Sequence, residues 1–232
     1  MNQRLAKDTG RPSPYLVASG LSISIALLYP VTMFLSLMGG HLPTAQESRY
    51  DIFGGFGIVL AGCVLTPIVA VASAAGALAG TAVGISQLRK LRPRVYPVVT
   101  LIACGPAFFI GASFFVARYI SQLRRPEDLM RNPAPDWRFN LALASHIALA
   151  ATAAAIGGSL RASRMSAAAL ASLPTRTPLA MALAIILCGA GGNYALLLLR
   201  NFPAAVISAV LGFALGWVLG SHIAVSLEQR SP

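Results

Sequence analysis

The side chains of this chain that could do chemistry are few, and several of them stand inside long apolar segments. Six residues are candidates for a polar substrate-binding pocket: His146, Asn193 and Tyr194 within the segments, with His41, Arg49 and Arg200 near segment ends. Imidazole, amide and phenol groups donate and accept hydrogen bonds, and guanidinium groups bind carboxylates and phosphates. Such a set predicts binding of a polar ligand. The alternative is that the same groups form hydrogen bonds between helices and contact lipid headgroups.

The sequence predicts no metal site, no cofactor and no catalytic residues. His41 and His146 lack a spacing typical of metal ligands. His222 stands about 8 Å from the end of its segment that is remote from His146, so the two rings cannot ligate one haem. The glycine-rich phosphate loop, the Gly-x-Ser-x-Gly elbow and the His-Glu-x-x-His motif are absent, and no Asp or Glu stands in mid-segment to relay a proton. An enzyme of a familiar type is therefore not indicated.

Six apolar segments must position these groups. Each has at least 22 residues without Asp, Glu, Lys or Arg, and they cover 12–46, 52–88, 95–117, 139–160, 177–199 and 201–227. About 20 apolar residues in a helix cross a hydrocarbon core of roughly 30 Å, and backbone groups in lipid must be hydrogen-bonded within their own segment. The prediction is an all-α integral membrane bundle in a single domain, 1–232. Its six spans lie near 14–39, 52–74, 95–119, 138–160, 177–199 and 202–227.

The distribution of basic residues predicts the orientation, because Lys and Arg near span ends are retained in the cytoplasm. With a cytoplasmic N-terminus, eleven of the 18 Lys and Arg residues fall on the inner side, four of them clustered at 89–94. We therefore expect both termini in the cytoplasm and a location in the plasma membrane, which is the inner membrane in a bacterium. His146 and Asn193 would then lie about 12 Å and about 10 Å from the outer ends of their helices, so the predicted pocket would open outward.

The net charge of +11 does not predict nucleic-acid binding. The basic residues flank apolar segments instead of covering one face of a domain. Anionic lipid headgroups are therefore the expected partners.

Glycines at every fourth position form two stripes that predict close helix packing. They are Gly76, Gly80 and Gly84 in the second segment and Gly212, Gly216 and Gly220 in the last. Small residues let helix backbones approach closely in lipid, where van der Waals contact replaces the hydrophobic effect. The stripes predict either packing within the chain or docking to a partner membrane protein or a second copy. The pattern does not separate these alternatives.

The second segment is too long for a simple span. Its 37 uncharged residues would make a helix of about 55 Å, nearly twice the core thickness. Its small-residue-rich end, 76–84, favours an extension past the inner headgroups. The alternative is a broken helix at a transport site, with the break near Pro67 or at 73–76.

The ends of the predicted spans carry a resemblance to a known family. The first outer loop reads His41-Leu42-Pro43-Thr44, and Arg49-Tyr50-Asp51-Ile52-Phe53-Gly54 opens the second span. With six spans, both termini inside, His146 in the fourth span and His222 in the sixth, the chain resembles the FRAG/DRAM/Sfk superfamily. The family's Ile-Ser-Asp-like loop and its acidic residue in the sixth span are missing. Members are linked to lipid remodelling, lipid distribution and membrane trafficking, so the resemblance implies a lipid-associated role.

The sequence as a whole predicts a non-catalytic membrane protein that is lipid-associated or handles lipid as an accessory protein. One alternative is a membrane-embedded subunit that docks on a larger complex through the glycine stripes. A second alternative is a permease for a small solute, with movement in the first half, where Pro30, Pro67 and Pro106 interrupt the spans.

Overall fold

The regular structure of the described part of the chain is helical throughout. The computed structural model describes residues 12–38, 52–90, 96–105, 107–108 and 137–229. The helices are α1 (Pro14–Ala26), α2 (Tyr29–Met38), α3 (Ile52–Arg89), α4 (Tyr96–Gly105), α5 (Trp137–Ser163), α6 (Ala167–Ala171), α7 (Arg176–Leu199) and α8 (Phe202–Gln229). Five described stretches are long and apolar enough to cross a membrane: Pro14–Leu35, Gly62–Arg89, Ala142–Ser163, Arg176–Leu199 and Phe202–Gln229. These helices confirm the prediction of an all-helical chain of membrane-protein type.

The first membrane-length stretch is divided into two helices. α1 gives way to a turn at Leu27 and Leu28, just before Pro30, whose ring lacks an N–H donor. The Leu28 N–H bonds to the Ile25 carbonyl at 3.1 Å, which is the tighter three-residue pattern of a helix end. α2 then continues along the same stretch.

α3 is one continuous helix of 38 residues, about 57 Å long, although Pro67 lies inside it. Residues 75–77 and 79–86 are buried on every side, because the helix packs against α1, α5 and α7. Its glycine-, alanine- and serine-rich sequence is therefore that of a thin helix enclosed by others. The structure has no break at Pro67 or at 73–76. The small-residue end, 76–84, is enclosed by other helices of the bundle.

The glycine stripe of α3 faces two neighbouring helices at once. Gly76, Gly80 and Gly84 lie in turn against Ala107, Ala103 and Val99 on one side and against Ala151, Ala155 and Ser159 on the other. A Cβ atom added at Gly76 would lie 2.9 Å from the Ala151 Cβ, and one added at Gly80 would lie 2.8 Å from the Ala155 Cβ. The order of the contacts makes α4 antiparallel and α5 parallel to α3.

The glycine stripe of α8 faces α7. Gly212, Gly216 and Gly220 lie against Leu187, Leu183 and Ala180, so the two helices form an antiparallel hairpin with close backbones. Arg200 joins them with φ of 51°, in the left-handed region that ends many helices. A partner chain could reach these glycines only by displacing α7.

The surface of α8 that faces away from α7 carries large, exposed apolar side chains. Phe202, Val210, Leu211, Leu215 and Val218 are all more than half exposed. α8 packs almost entirely against α7 and barely touches the other described helices. In a helix of membrane length, such a face is suited to lipid.

Candidate functional site

His146 lies at the break between α1 and α2. Its Nε2 is 3.0 Å from the Ile25 carbonyl oxygen, and its Nδ1 is 3.2 Å from the Thr32 hydroxyl. A carbonyl oxygen only accepts, so Nε2 carries the hydrogen of that bond. The ring also lies 5.4 Å from the Tyr29 ring, centroid to centroid, and the residue is only 7% exposed. His146 therefore ties α5 to the interrupted backbone of the first membrane-length stretch.

The direction of the hydrogen bond between Thr32 and His146 depends on the protonation state of the imidazole. The hydroxyl is 2.9 Å from the Tyr29 carbonyl and 3.2 Å from His146 Nδ1, but it has one hydrogen to donate. With a neutral ring, the hydroxyl donates to Nδ1. With a protonated ring, Nδ1 donates to the hydroxyl, whose hydrogen goes to the Tyr29 carbonyl. Both arrangements keep the bond to Ile25.

The other predicted pocket residues lie elsewhere or outside the described residues. Asn193 and Tyr194 are partly buried on α7, and Arg200 is exposed at its C-terminal end. No hydrogen bond or ring contact in the described part of the chain joins any of the three to His146. α5 packs on α1, α2 and α3, whereas α7 packs on α3 and α8. His41 and Arg49 lie outside the described residues.

The buried polar side chains mostly link one helix to another. The Ser22 hydroxyl donates to the Ser73 hydroxyl at 3.0 Å, and the Cys104 thiol lies 2.7 Å from the Thr152 hydroxyl. Four buried polar atoms of the described residues have no hydrogen-bond partner: Tyr29 Oη, Thr81 Oγ1, Ser159 Oγ and Asn193 Nδ2. Within the described ranges, no three His, Cys, Asp or Glu side chains come together as metal ligands would.

Basic side chains hold one end of the bundle together by donating to main-chain carbonyls. Arg89 donates from Nε to the Leu170 carbonyl at 3.1 Å and from Nη2 to the Ala171 and Leu173 carbonyls. Lys90 Nζ donates to the Leu227 carbonyl at 2.7 Å.

Two further contacts join the start of α1 to the same end. Arg161 Nε donates to the Pro12 carbonyl at 3.2 Å, and the Tyr15 hydroxyl donates to the Pro174 carbonyl. We call this end, formed by residues 12–15, 89–90, 161–176 and 227–229, the basic end.

A groove opens beside the basic end, between the start of α7 and the C-terminal half of α8. It has a volume of about 360 Å³ and is lined by Arg176, Trp217, Val218, Ser221, His222 and Val225. The Trp217 ring stacks on Phe213, with ring centroids 6.3 Å apart. The Arg176 guanidinium and the His222 ring have no hydrogen-bond or ion-pair partner among the described residues.

The chain matches no protein-family model, no curated protein and no solved structure. The resemblance to the FRAG/DRAM/Sfk superfamily therefore stays a prediction.

The sequence did not predict that Arg176 and Trp217 line the same groove. They are far apart in the chain and belong to different spans, so only the antiparallel packing of α7 on α8 brings them to one groove. The available signal was an Arg at the start of one apolar segment, followed by Ser221-His222 near the end of the next. Chemically, the groove offers a guanidinium, a hydroxyl and an imidazole beside an aromatic wall.

Proposed function

We propose that this chain is a non-catalytic, lipid-associated membrane protein that acts as an accessory protein and contacts anionic headgroups at its basic end. The observation that carries the proposal is the position of the charges. Of the seven Lys and Arg residues in the described ranges, five lie at the basic end and two, Arg138 and Arg200, at the opposite end. Cations at the ends of lipid-facing helices attract anionic headgroups.

The directions of the described helices support six crossings of the membrane. α3 and α5 both end at the basic end, where Arg89 bonds to residues just beyond α5. α5 begins at Trp137, about 40 Å away along its axis. Between these two helices in the chain, α4 runs antiparallel to α3, away from the basic end and toward the end where α5 begins. Six crossings put both termini at the basic end, which the positive-inside rule assigns to the cytoplasm.

The use of the buried polar groups supports a non-catalytic role. His146 is bonded to Ile25 and Thr32, and Ser22 to Ser73, so these groups serve helix packing. A substrate would have to replace these contacts to reach them.

Lipid retention tests the proposal. The full chain is reconstituted in nanodiscs with equal phosphatidylglycerol and phosphatidylcholine, transferred to mild detergent, and analysed for lipid by native mass spectrometry. We expect the retained lipid to be enriched severalfold in phosphatidylglycerol. A retained mixture equal to the starting mixture would overturn the proposal.

A further inference from the structure

We propose that the groove between α7 and α8 binds the phosphate of one anionic phospholipid from the leaflet at the basic end. The inference rests on the proposed lipid association and gives it a defined site. The Arg176 guanidinium contacts the phosphate, Ser221 and His222 complete the polar wall, and the glycerol and the start of the acyl chains lie along Trp217 and Val218.

The charge that recognises the phosphate is Arg176. Arg89, Lys90 and Arg161, the neighbouring cations at this end, already donate to main-chain carbonyls. Arg176 has no such partner in the described part of the chain and lines an open groove. A planar guanidinium donates two parallel hydrogen bonds to a phosphate, which makes it the cation best shaped for this ligand.

No Asp or Glu side chain lines the groove beside Arg176, so the guanidinium charge is available to a ligand. Glu228 is the one acidic residue in the described ranges, and it accepts a hydrogen bond of 2.6 Å from the Thr175 hydroxyl. It lies beyond Val225, outside the groove lining. The groove therefore keeps a net positive charge that complements a phosphate.

The groove is polar at one end and apolar at the other, as a phospholipid is near its headgroup. From Trp217 to Val225 it runs about 12 Å along α8, which covers a phosphate and a glycerol. Its inner part, near the middle of α8, is aromatic and apolar and therefore suits acyl chains. The groove opens onto the exposed apolar face of α8, so acyl chains can leave it directly into the bilayer. A soluble anion would use the polar part alone.

Trp217 provides a local readout. The chain has two tryptophans, so a Trp137→Phe variant leaves Trp217 as its one tryptophan. This variant is reconstituted into vesicles that mix phosphatidylglycerol with phosphatidylcholine, with bromine on the acyl chains of one lipid at a time. Bromine quenches tryptophan on contact, so the two quenching curves give the relative affinity of the two lipids beside Trp217. Both lipids have a phosphate, but phosphatidylcholine also carries a choline cation that the Arg176 guanidinium repels, so we expect phosphatidylglycerol to be favoured about tenfold.

Two variants in the same background assign the preference to Arg176. Arg176→Gln is expected to bring the ratio close to one, a loss of about tenfold, and Arg176→Lys to keep part of the preference. Arg164→Gln removes the same charge from an exposed position at the same end but outside the groove. We expect it to change the ratio less than about twofold, since salt screens distant exposed charges.

The outcomes separate the site from the general function. A tenfold preference that Arg176→Gln abolishes and Arg164→Gln retains supports the site. A ratio near one at Trp217, together with enriched phosphatidylglycerol in the retention assay, overturns the groove and leaves the lipid association standing. Equal losses in Arg176→Gln and Arg164→Gln also overturn the groove, because the attraction is then diffuse. Absence of enrichment in both assays overturns both proposals. If Arg176→Gln does not fold, His222→Asn replaces it, and an unchanged ratio in that variant overturns the groove.

Discussion

His146 donates its Nε2 hydrogen to the main-chain carbonyl of Ile25, 121 positions away in sequence, at the point where the first membrane-length stretch breaks. The same carbonyl accepts from the Leu28 N–H at 3.1 Å, so His146 adds a second donor, from a side chain, where the helix is interrupted. His146, a polar residue of the fourth apolar segment, thus stabilises the break in the first segment.

Replacing His146 by alanine is expected to destabilise the bundle. The change leaves the Ile25 carbonyl without its side-chain partner and opens space beside the buried Tyr29 ring, at a cost of about 1–3 kcal/mol. The midpoint of thermal unfolding in detergent should fall by about 2–12 °C. Leu149→Ala is the matched control, since Leu149 lies on the same helix and is 65% exposed. An unchanged unfolding temperature with lost lipid retention would instead favour the outward pocket predicted from sequence.

Much of the helical fold follows from the apolar segments, because their length and lack of charge are properties of single helices. Pro30 is the sequence signal for the break at Leu27–Leu28. The continuity of α3 through Pro67 could not be predicted, because neighbouring helices decide whether a proline interrupts a membrane helix.

The candidate sites were harder to predict for a related reason. The partners of His146 are the Ile25 carbonyl and the Thr32 hydroxyl, and periodicity carries no information about which helix lies opposite. Arg176 and His222 meet in one groove because α7 and α8 are antiparallel and close, which depends on the glycines of α8.

Gly220→Ala is expected to loosen the α7–α8 hairpin. The new Cβ would lie 2.6 Å from the Ala180 Cα, so a backbone and not a flexible side chain would have to move. Overpacking of this kind costs about 1–3 kcal/mol. Gly189→Ala is the control, because its Cβ would meet nothing within 4 Å and alanine favours a helix. Thermal unfolding should fall for Gly220→Ala and stay equal or rise for Gly189→Ala. Equal shifts in the two variants would contradict the close packing.

Arg89→Gln is expected to loosen the segment between α5 and α7, which contains α6. Arg89 donates to the Leu170, Ala171 and Leu173 carbonyls, and hydrogen bonds from a charged donor contribute about 1.5–3 kcal/mol. Hydrogen–deuterium exchange of residues 167–173 should accelerate by about tenfold or more. Arg164→Gln, which removes an exposed charge nearby, should leave the exchange of these amides unchanged. No acceleration in Arg89→Gln would mean that α6 is held by other contacts.

Arg164 and Asn201 should be accessible to water-soluble reagents from opposite sides of the membrane. Arg164 lies at the basic end, and Asn201 lies in the tight turn at the far end of α7, about 36 Å away along a helix of 24 residues. The native cysteines Cys63, Cys104 and Cys188 are first replaced by alanine, and a single cysteine is then placed at one position or the other. In intact cells, a membrane-impermeant maleimide should label Asn201→Cys at once and Arg164→Cys only after lysis, because the orientation proposed from the positive-inside rule has the basic end in the cytoplasm. Labelling of Arg164→Cys in intact cells with protection of Asn201→Cys would reverse the orientation. Labelling of both from one side would contradict a membrane crossing by α7.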